Sequence, residues 1–290
     1  VVINFPGVDR IFLHCPGAND TFGATDVDSA ALRDAKLFHF GYPTLMRRMY
    51  THGGEELEAL FRRAKQAGVT TSLDMAWVEP SSEAGQVDWP AVLKRLLPHV
   101  DVFLPSFDEI LYMADRETFL SLQQAGAGNV LGQADGDLIG QVAQKLLDLG
   151  AAVAVLKLGD QGLYLRATTD KARLQAMGPC APKDLLAWSG CELLAPCFCV
   201  NVAGTTGSGD CTIAGVLAGL LKGLGPVETI IAGVAAGACN VEAPDAVSGV
   251  RSWDEMQARI AAGWARRDVT LPLDGWSFDE TAGVYNTKHV

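Results

Sequence analysis

A short glycine turn followed by one carboxylate is the part of the sequence best suited to chemistry. Gly207, Ser208, Gly209 and Asp210 follow the apolar segment Pro196–Val202 and precede a long apolar run. Glycines let successive backbone N–H groups point into one concavity, and a helix start adds unpaired N–H groups and the positive end of its dipole. The pattern predicts an anion hole at Gly207, Ser208 and Gly209, which would hold a phosphate or the charge that develops during its transfer.

An acid beside a phosphate site needs a chemical task, because its charge repels the ligand. A carboxylate in this position can accept the proton of a hydroxyl while that hydroxyl attacks phosphorus. We therefore interpret Asp210 as a general base. The alternative is an aspartate that only stabilises the start of a helix, and a short glycine motif by itself does not decide between the two.

Alternating strand-like and helical segments supply the framework for this turn. The strand-like segments are Ala35–Phe40, Val69–Trp77, Val100–Pro105, Ala151–Gly159 and Pro196–Val202. The helical segments between them are Glu55–Gly68, Pro90–Leu97 and Asp137–Gly150, whereas Leu122–Gly136 has the composition of a loop. This order predicts an α/β fold with a doubly wound, mostly parallel sheet and helices on both faces. Ligands of such sheets bind at the carboxyl ends of the strands.

Composition narrows the class of protein. The 290 residues are 49% hydrophobic and carry a formal charge of −11 without any run of lysine or arginine, which argues against a nucleic-acid partner. The apolar segments Cys211–Leu221 and Thr229–Val241 are too short to span a bilayer, so no membrane partner is expected. No secretory signal opens the chain, and the odd number of cysteines, seven, favours buried free thiols in a reducing cytoplasm without bound zinc.

The segment from Gly204 to Leu221 resembles the D-T-x-G-A-G-D signature of the ribokinase-like, or PfkB, carbohydrate kinases. Thr205, Gly207, Gly209 and Asp210 match it, and Ser208 stands where alanine is usual. Gly204 stands where the first aspartate is usual, which leaves open the monovalent-cation site that members often build partly from that residue. The resemblance covers nearly all of the chain through about residue 262 and implies ATP and Mg²⁺ as cofactors.

Further segments resemble the family in the same order along the chain. The resemblance implies that Lys157, Gly159, Gly162 and Thr205 lie near ATP, that Gly237–Val250 with Asn240 walls the adenine pocket, and that Asp74 faces the cleft. It also implies that Glu109 acts through water on Mg²⁺, although Ser106 replaces the asparagine usual three residues earlier. For three of these residues a structural alternative stays open: a solvated helix acid at Glu109, a turn cap at Asp74 and a sheet-edge lysine at Lys157.

The first twenty residues resemble lid strands rather than the opening strand and G-G motif of the family, so the chain looks like a fragment or a processed form. The turn "FPGVD" between alternating apolar residues predicts a hairpin, which could also mediate a homodimer. Arg10, His14 and Asn19 near this lid either contact substrate or lie on the surface. We expect one domain over residues 1–290, with lid strands in 1–20 and a C-terminal extension in 266–290.

These patterns predict an ATP-dependent kinase that phosphorylates a primary hydroxyl of a sugar or sugar-like molecule, with Asp210 as the base. A nucleoside kinase is an alternative within the same family. A sugar or nucleotide sensor without catalysis is the alternative from another class, favoured by the residues that replace the family's usual aspartate and asparagine. The intact Asp210 argues against the sensor, because binding alone needs no general base.

Overall fold

The computed structural model describes residues 2–5 and 8–287. Its strands are β1 (Val2–Phe5), β2 (Val8–Phe12), β3 (Leu37–Phe40), β4 (Thr70–Leu73), β5 (Val102–Phe103), β6 (Val153–Lys157), β7 (Leu163–Ala167), β8 (Glu192–Ala195), β9 (Trp276–Asp279) and β10 (Val284–Thr287). Its α-helices are α1 (Ser29–Asp34), α2 (Arg47–Tyr50), α3 (Glu55–Gln66), α4 (Trp89–Leu96), α5 (Phe107–Ala114), α6 (Arg116–Ala125), α7 (Gly136–Asp148), α8 (Lys171–Gln175), α9 (Leu185–Trp188), α10 (Ser208–Lys222), α11 (Pro226–Asn240) and α12 (Trp253–Ala261).

The main sheet has eight strands in the order β3-β4-β5-β6-β7-β8-β10-β9. Neighbouring strands from β3 to β6 are parallel, and those from β6 to β9 are antiparallel. Strands β1 and β2 form a separate antiparallel pair, as the hairpin prediction for the first residues requires, and the two residues of its turn lie outside the described part. The predicted α/β fold is confirmed, and its parallel half gathers several strand ends on one edge.

Helices cover both faces of the sheet, because neighbouring residues of a strand point to opposite sides. In β5 and β6, Phe103, Ala154 and Leu156 pack with α3, α4, α5 and α7 in one core. Val102 and Val155 pack on the other side, with α8, α10, α11 and α12. Such two-sided burial explains why β6 consists almost entirely of apolar residues.

The strand before the glycine turn lies earlier in the chain than the sequence predicted. Strand β8 covers Glu192–Ala195, whereas the predicted segment Pro196–Val202 pairs with the chain near residue 266 and stays outside the main sheet. The backbone N–H of Cys199 donates to the carbonyl of Ala265, and that of Arg267 donates to the carbonyl of Cys197. The prediction was wrong because the apolar pattern is the same whether a segment pairs with the sheet or with a distant loop.

Two other segments also differ from their sequence description. The predicted loop Leu122–Gly136 begins inside α6, which continues to Ala125, and its middle contains a short 3-10 helix. The predicted extension 266–290 contributes β9 and β10, which pair with each other and, through β10, with β8. Within the described residues, no helix is long and apolar enough to traverse a lipid bilayer.

All seven cysteines carry free thiols. Cys180, Cys211 and Cys239 are buried, as expected for thiols within apolar segments, but Cys15 and Cys199 are exposed. The prediction of buried thiols therefore holds only for part of the set. Periodicity did not reveal this difference, because the two exposed cysteines lie in segments without regular secondary structure.

Candidate active site

A cavity of about 400 Å³ opens between the end of β6 and the start of α10. Its floor is apolar and includes Phe198, Val234 and Val241, and the small residues Ser208 and Gly209 line it at the start of α10. The residues predicted from sequence that line it are Lys157, Gly159, Gly162, Thr205, Ser208 and Gly209. The volume lies within the usual range for small-molecule sites.

Gly207 sets the start of helix α10. It precedes the first helical residue with φ of +78°, a left-handed conformation that favours glycine. A Cβ atom here would lie 2.6 Å from the carbonyl oxygen of Ala246 and 2.9 Å from its Cα. Both the conformation and the close approach of loop 243–249 therefore require glycine, and Ser208 and Gly209 of the following turn line the cavity, whereas Gly207 does not.

Replacing Gly207 with alanine is expected to lower the free energy of unfolding by about 2–5 kcal/mol, through left-handed strain and the clash with Ala246. The matched control is Gly263→Ala, at φ of +84° with no atom within 4 Å of the added Cβ. The control keeps the strain and lacks the clash, so it should lose about 1–2 kcal/mol. Urea unfolding measures both variants, and equal losses would contradict the proposed packing of this turn.

Two residues that the sequence predicted separately form one ion pair. The Nζ atom of Lys157, at the end of β6, lies 2.8 Å from Oδ1 and 2.7 Å from Oδ2 of Asp74, just beyond β4. The carboxylate of Asp74 is 1% exposed and the lysine side chain 13% exposed. The same Nζ atom lies 3.7 Å from where a Cβ of Gly209 would be, which brings the lysine to the start of α10.

Burial dominates the protonation equilibrium of Asp74. It raises the pKa of this carboxyl to about 7, with the nearby acid Glu109 acting in the same direction and Lys157 opposing both. The lysine is thus what favours a negative charge at this buried position. Asp74 is paired with a neighbouring cation rather than open to solvent, and its contact with substrate stays a prediction.

Asp210 lies in the first turn of α10 and is exposed. Its Oδ1 atom accepts a hydrogen bond from the hydroxyl of Tyr42, which belongs to the segment that follows β3. Burial, this bond and the charge of Asp210 raise the pKa of Tyr42 far above its usual value, so the phenol remains a neutral donor. The contact joins residues 168 positions apart in the chain.

His39 completes the polar cluster, by which we mean His39, Tyr42, Asp74, Lys157 and Asp210. The Nδ1 atom of His39 lies 3.0 Å from the hydroxyl of Ser72. Desolvation of the ring, followed by the charge of Lys157, lowers the pKa of His39 to about 4, while Asp210 acts in the opposite direction. The ring is therefore neutral at physiological pH, with one nitrogen that can donate a hydrogen bond and one that can accept a hydrogen bond.

Glu109 has a structural role that neither alternative from the sequence described. Its Oε2 atom accepts the backbone N–H of Ser106 at 3.0 Å, which caps the start of α5. The preceding Asp108 has a buried Oδ1 atom without a hydrogen-bond partner, and burial raises its pKa. Among the described residues, no group of three or more His, Cys, Asp or Glu side chains is arranged to bind a metal ion.

Several predicted contact residues lie away from the cavity. Asn240 is completely buried, and its Nδ2 atom donates to the carbonyl of Ala246 at 2.7 Å, so it holds loop 243–249 rather than lining the cavity. His14 and Asn19 are exposed and do not line the cavity either. The side chain of Arg10 lies outside the described part of the structure.

The sequence interpretation missed four residues of this region: Tyr42, His39, Phe198 and Arg267. Phe198 and Arg267 line the cavity, and Arg267 donates to Asp160 at 3.0 Å. A signal for the first two existed, since His39 lies at the end of the predicted strand Ala35–Phe40 and Tyr42 two residues beyond it, at the ligand-binding edge of such a sheet. No comparable signal marked Arg267, which lies in a segment without clear periodicity.

The fold agrees with comparisons to known proteins. Residues 2–253 match the sequence model of the pfkB family carbohydrate kinases, and the chain belongs to this family. A curated relative, 2-dehydro-3-deoxygluconokinase of Bacillus subtilis (strain 168), is 28% identical over 121 residues. The aligned part covers 42% of this chain and 31% of that relative.

Solved structures share the fold at low sequence identity. A putative ribokinase II from E. coli, crystallised in complex with ATP and Mg²⁺, has a TM-score of 0.60 at 18% identity, covering 88% of this chain and 68% of its own. The fructokinase from Xylella fastidiosa with bound ATP has a TM-score of 0.59 at 18% identity, with coverages of 90% and 72%. Ribokinase from Thermotoga maritima has a TM-score of 0.56 at 19% identity, with 87% of this chain covering 66% of that one.

Proposed function

We propose that this protein transfers the γ-phosphate of ATP to a primary hydroxyl of a sugar or sugar-like molecule. The observation that carries the proposal is the position of Asp210 in the first turn of α10, directly after Ser208 and Gly209, which line the cavity. A base and an anion site on one helix start are what phosphoryl transfer needs, because the reaction depends on positioning and charge stabilisation. Membership of the pfkB family supports the same reaction.

Each residue of the site has a role in this proposal. Asp210 accepts the proton of the attacking hydroxyl, and the N–H groups of Gly207, Ser208 and Gly209 stabilise the charge on the transferred group. Lys157, held by Asp74 close to Gly209, would bind the phosphates. The apolar floor of the cavity receives the base of the nucleotide, with Gly159 and Gly162 next to the phosphates.

The donor set fits a metal that arrives with the nucleotide. Mg²⁺ keeps several waters and is usually bound through phosphates and one or two carboxylates, so a three-carboxylate cluster is not needed. Mg²⁺ would neutralise charge on the phosphates during transfer. Glu109 uses one oxygen to cap α5, and its other oxygen is available for a water of the metal.

The class of acceptor is the least determined part of the proposal. The curated relative is named for 2-dehydro-3-deoxygluconate, a sugar acid, whereas structural neighbours are named for ribose and fructose. Three carboxylates lie in this region, those of Asp74, Glu109 and Asp210, and only one lysine, Lys157, is paired with them. This excess of negative charge favours an acceptor that is neutral near these residues. A coupled assay for ADP release should therefore compare neutral sugars, sugar acids and nucleosides. Failure of every acceptor would reject the proposal.

Nucleotide binding gives an independent measurement. ATP with Mg²⁺ should raise the melting temperature, because a ligand at a hundred times its Kd adds about 2.7 kcal/mol to the stability of the native state. AMP should shift it less, since it lacks the phosphates that the start of α10 would hold. If no nucleoside triphosphate or diphosphate shifts the transition, the cavity is not a nucleotide site.

The sensor alternative makes a different prediction for the same experiments. The hydrogen bond from Tyr42 to Asp210 favours the sensor, because this bond occupies an oxygen of the proposed base. A sensor would bind ATP or sugar, with a thermal shift, and would release no ADP with any acceptor. The pair of measurements therefore distinguishes binding from catalysis.

A further inference from the structure

Tyr42 contacts the carboxylate that the proposed mechanism assigns to the acceptor hydroxyl. Its hydroxyl donates to Oδ1 of Asp210, and its backbone leaves the end of β3 on the same edge of the sheet as Asp74 and Lys157. The ring of Tyr42 is partly buried, and the carboxylates of Asp210, Asp74 and Glu109 all favour the protonated phenol. The phenol therefore resembles an acceptor hydroxyl both chemically and in what it contacts.

A carboxylate that accepts a strong hydrogen bond is a weaker base, because the bond stabilises its charged form. A nucleophile activated by Asp210 must donate to the same carboxylate, so it competes with the phenol. Water is the smallest such nucleophile and is always present as the solvent, whereas a sugar brings further hydroxyls that add binding energy. A competitor at Asp210 thus hinders water more than it hinders a bound sugar.

We propose that Tyr42 is a positioning residue that blocks Asp210 until an acceptor displaces it, and so limits hydrolysis of ATP by water. This inference rests on the proposed kinase function. In the suppressed reaction, the oxygen of water bonds to the γ-phosphorus, the bond from that phosphorus to the bridging oxygen of ADP breaks, and the proton of water goes to Asp210. The products are ADP and inorganic phosphate. In the productive reaction a sugar hydroxyl replaces water in each of these steps.

The test is Tyr42→Phe, which keeps the ring and removes the hydroxyl. ADP release is measured without acceptor and with the best acceptor, and the ratio of hydrolysis to transfer is compared with wild type. The ratio should rise about tenfold, as expected when a hydrogen bond to a charged group is lost. The KM for the acceptor should fall, because no phenol remains to be displaced. Both rates come from the same molecules, so the ratio does not depend on the folded fraction.

Tyr164→Phe is the matched control. Its hydroxyl donates to Oε1 of Glu192 at 2.6 Å, another tyrosine–carboxylate bond, and neither residue lines the cavity. This variant should leave the ratio unchanged. The inference is wrong if the ratio for Tyr42→Phe stays within twofold of wild type, or if Tyr164→Phe raises the ratio equally. In either case the proposed function stands as long as the wild-type protein transfers phosphate to an acceptor. If wild type transfers phosphate to no acceptor, both proposals fall together.

Discussion

Replacing Asp210 with asparagine is expected to lower kcat by about 10²–10⁴-fold, the usual contribution of general-base catalysis. This corresponds to roughly 2.7–5.4 kcal/mol of activation free energy. Asparagine keeps the size of the side chain and an oxygen that can accept the hydroxyl of Tyr42, but it cannot take up the proton of the acceptor. Affinity for ATP should hold or improve, because a negative charge near the γ-phosphate is removed.

The control for Asp210→Asn is Asp137→Asn, which changes an exposed acid in the first turn of α7. Both substitutions remove a favourable charge from a helix start, worth about 0.3–1 kcal/mol in stability. Only the first should affect turnover. If kcat of Asp210→Asn stays within about threefold of wild type, or 0.65 kcal/mol of barrier, the residue is not the base and the mechanism is wrong.

Replacing Lys157 with methionine is expected to lower the free energy of unfolding by about 3–5 kcal/mol, because it leaves a buried carboxyl without its cation. Asp74 is 1% exposed, and Lys157 contacts both of its oxygens. Without the lysine, burial drives Asp74 toward its protonated form at neutral pH, since the pKa is already raised to about 7 with the lysine present. Denaturant unfolding at pH 7 measures the loss, and ATP affinity should fall as well.

The double variant Lys157→Met with Asp74→Asn separates the two roles of the pair. It replaces the carboxyl that the single variant leaves buried without its cation by a neutral amide, so part of the lost stability should return. Phosphate transfer should not return, because the cation near the start of α10 is still absent. A double variant no more stable than the single one would show that the ion pair is not what stabilises this part of the fold. Recovery of transfer would instead exclude a role for Lys157 with the phosphates.

The sequence by itself determined the local structure of the site and the class of fold. The turn from Gly207 to Asp210 was predictable, because a glycine with positive φ and the start of a helix are determined mainly by residues that are close in the sequence. The spacing of Leu57, Leu60, Phe61 and Ala64 on α3 fixed that helix in the same way, since all four are buried on one face. The apolar run of β6 predicted a strand covered on both faces.

Glu109 shows that a residue type alone does not determine the role of a side chain until its surroundings are known. An acid three residues after a serine can cap a helix, and the hydrogen bond to Ser106 shows that Glu109 does so, whereas its contact with a water of the metal stays a prediction. Asn240 is similar, because a helix periodicity does not tell whether an amide points into a cavity or into the protein. Its complete burial came from the way loop 243–249 folds over the end of α11.

Only the tertiary structure decided which distant residues meet. Lys157 and Asp74 are 83 positions apart, and Tyr42 and Asp210 are 168 apart, so no local pattern relates them. Parallel pairing of β3, β4, β5 and β6 brings the ends of these strands to one edge, where the start of α10 also lies. Strand pairing depends on the burial of whole faces rather than on the residues at the strand ends, which is why the sequence predicted a base beside an anion site but not the tyrosine bound to that base.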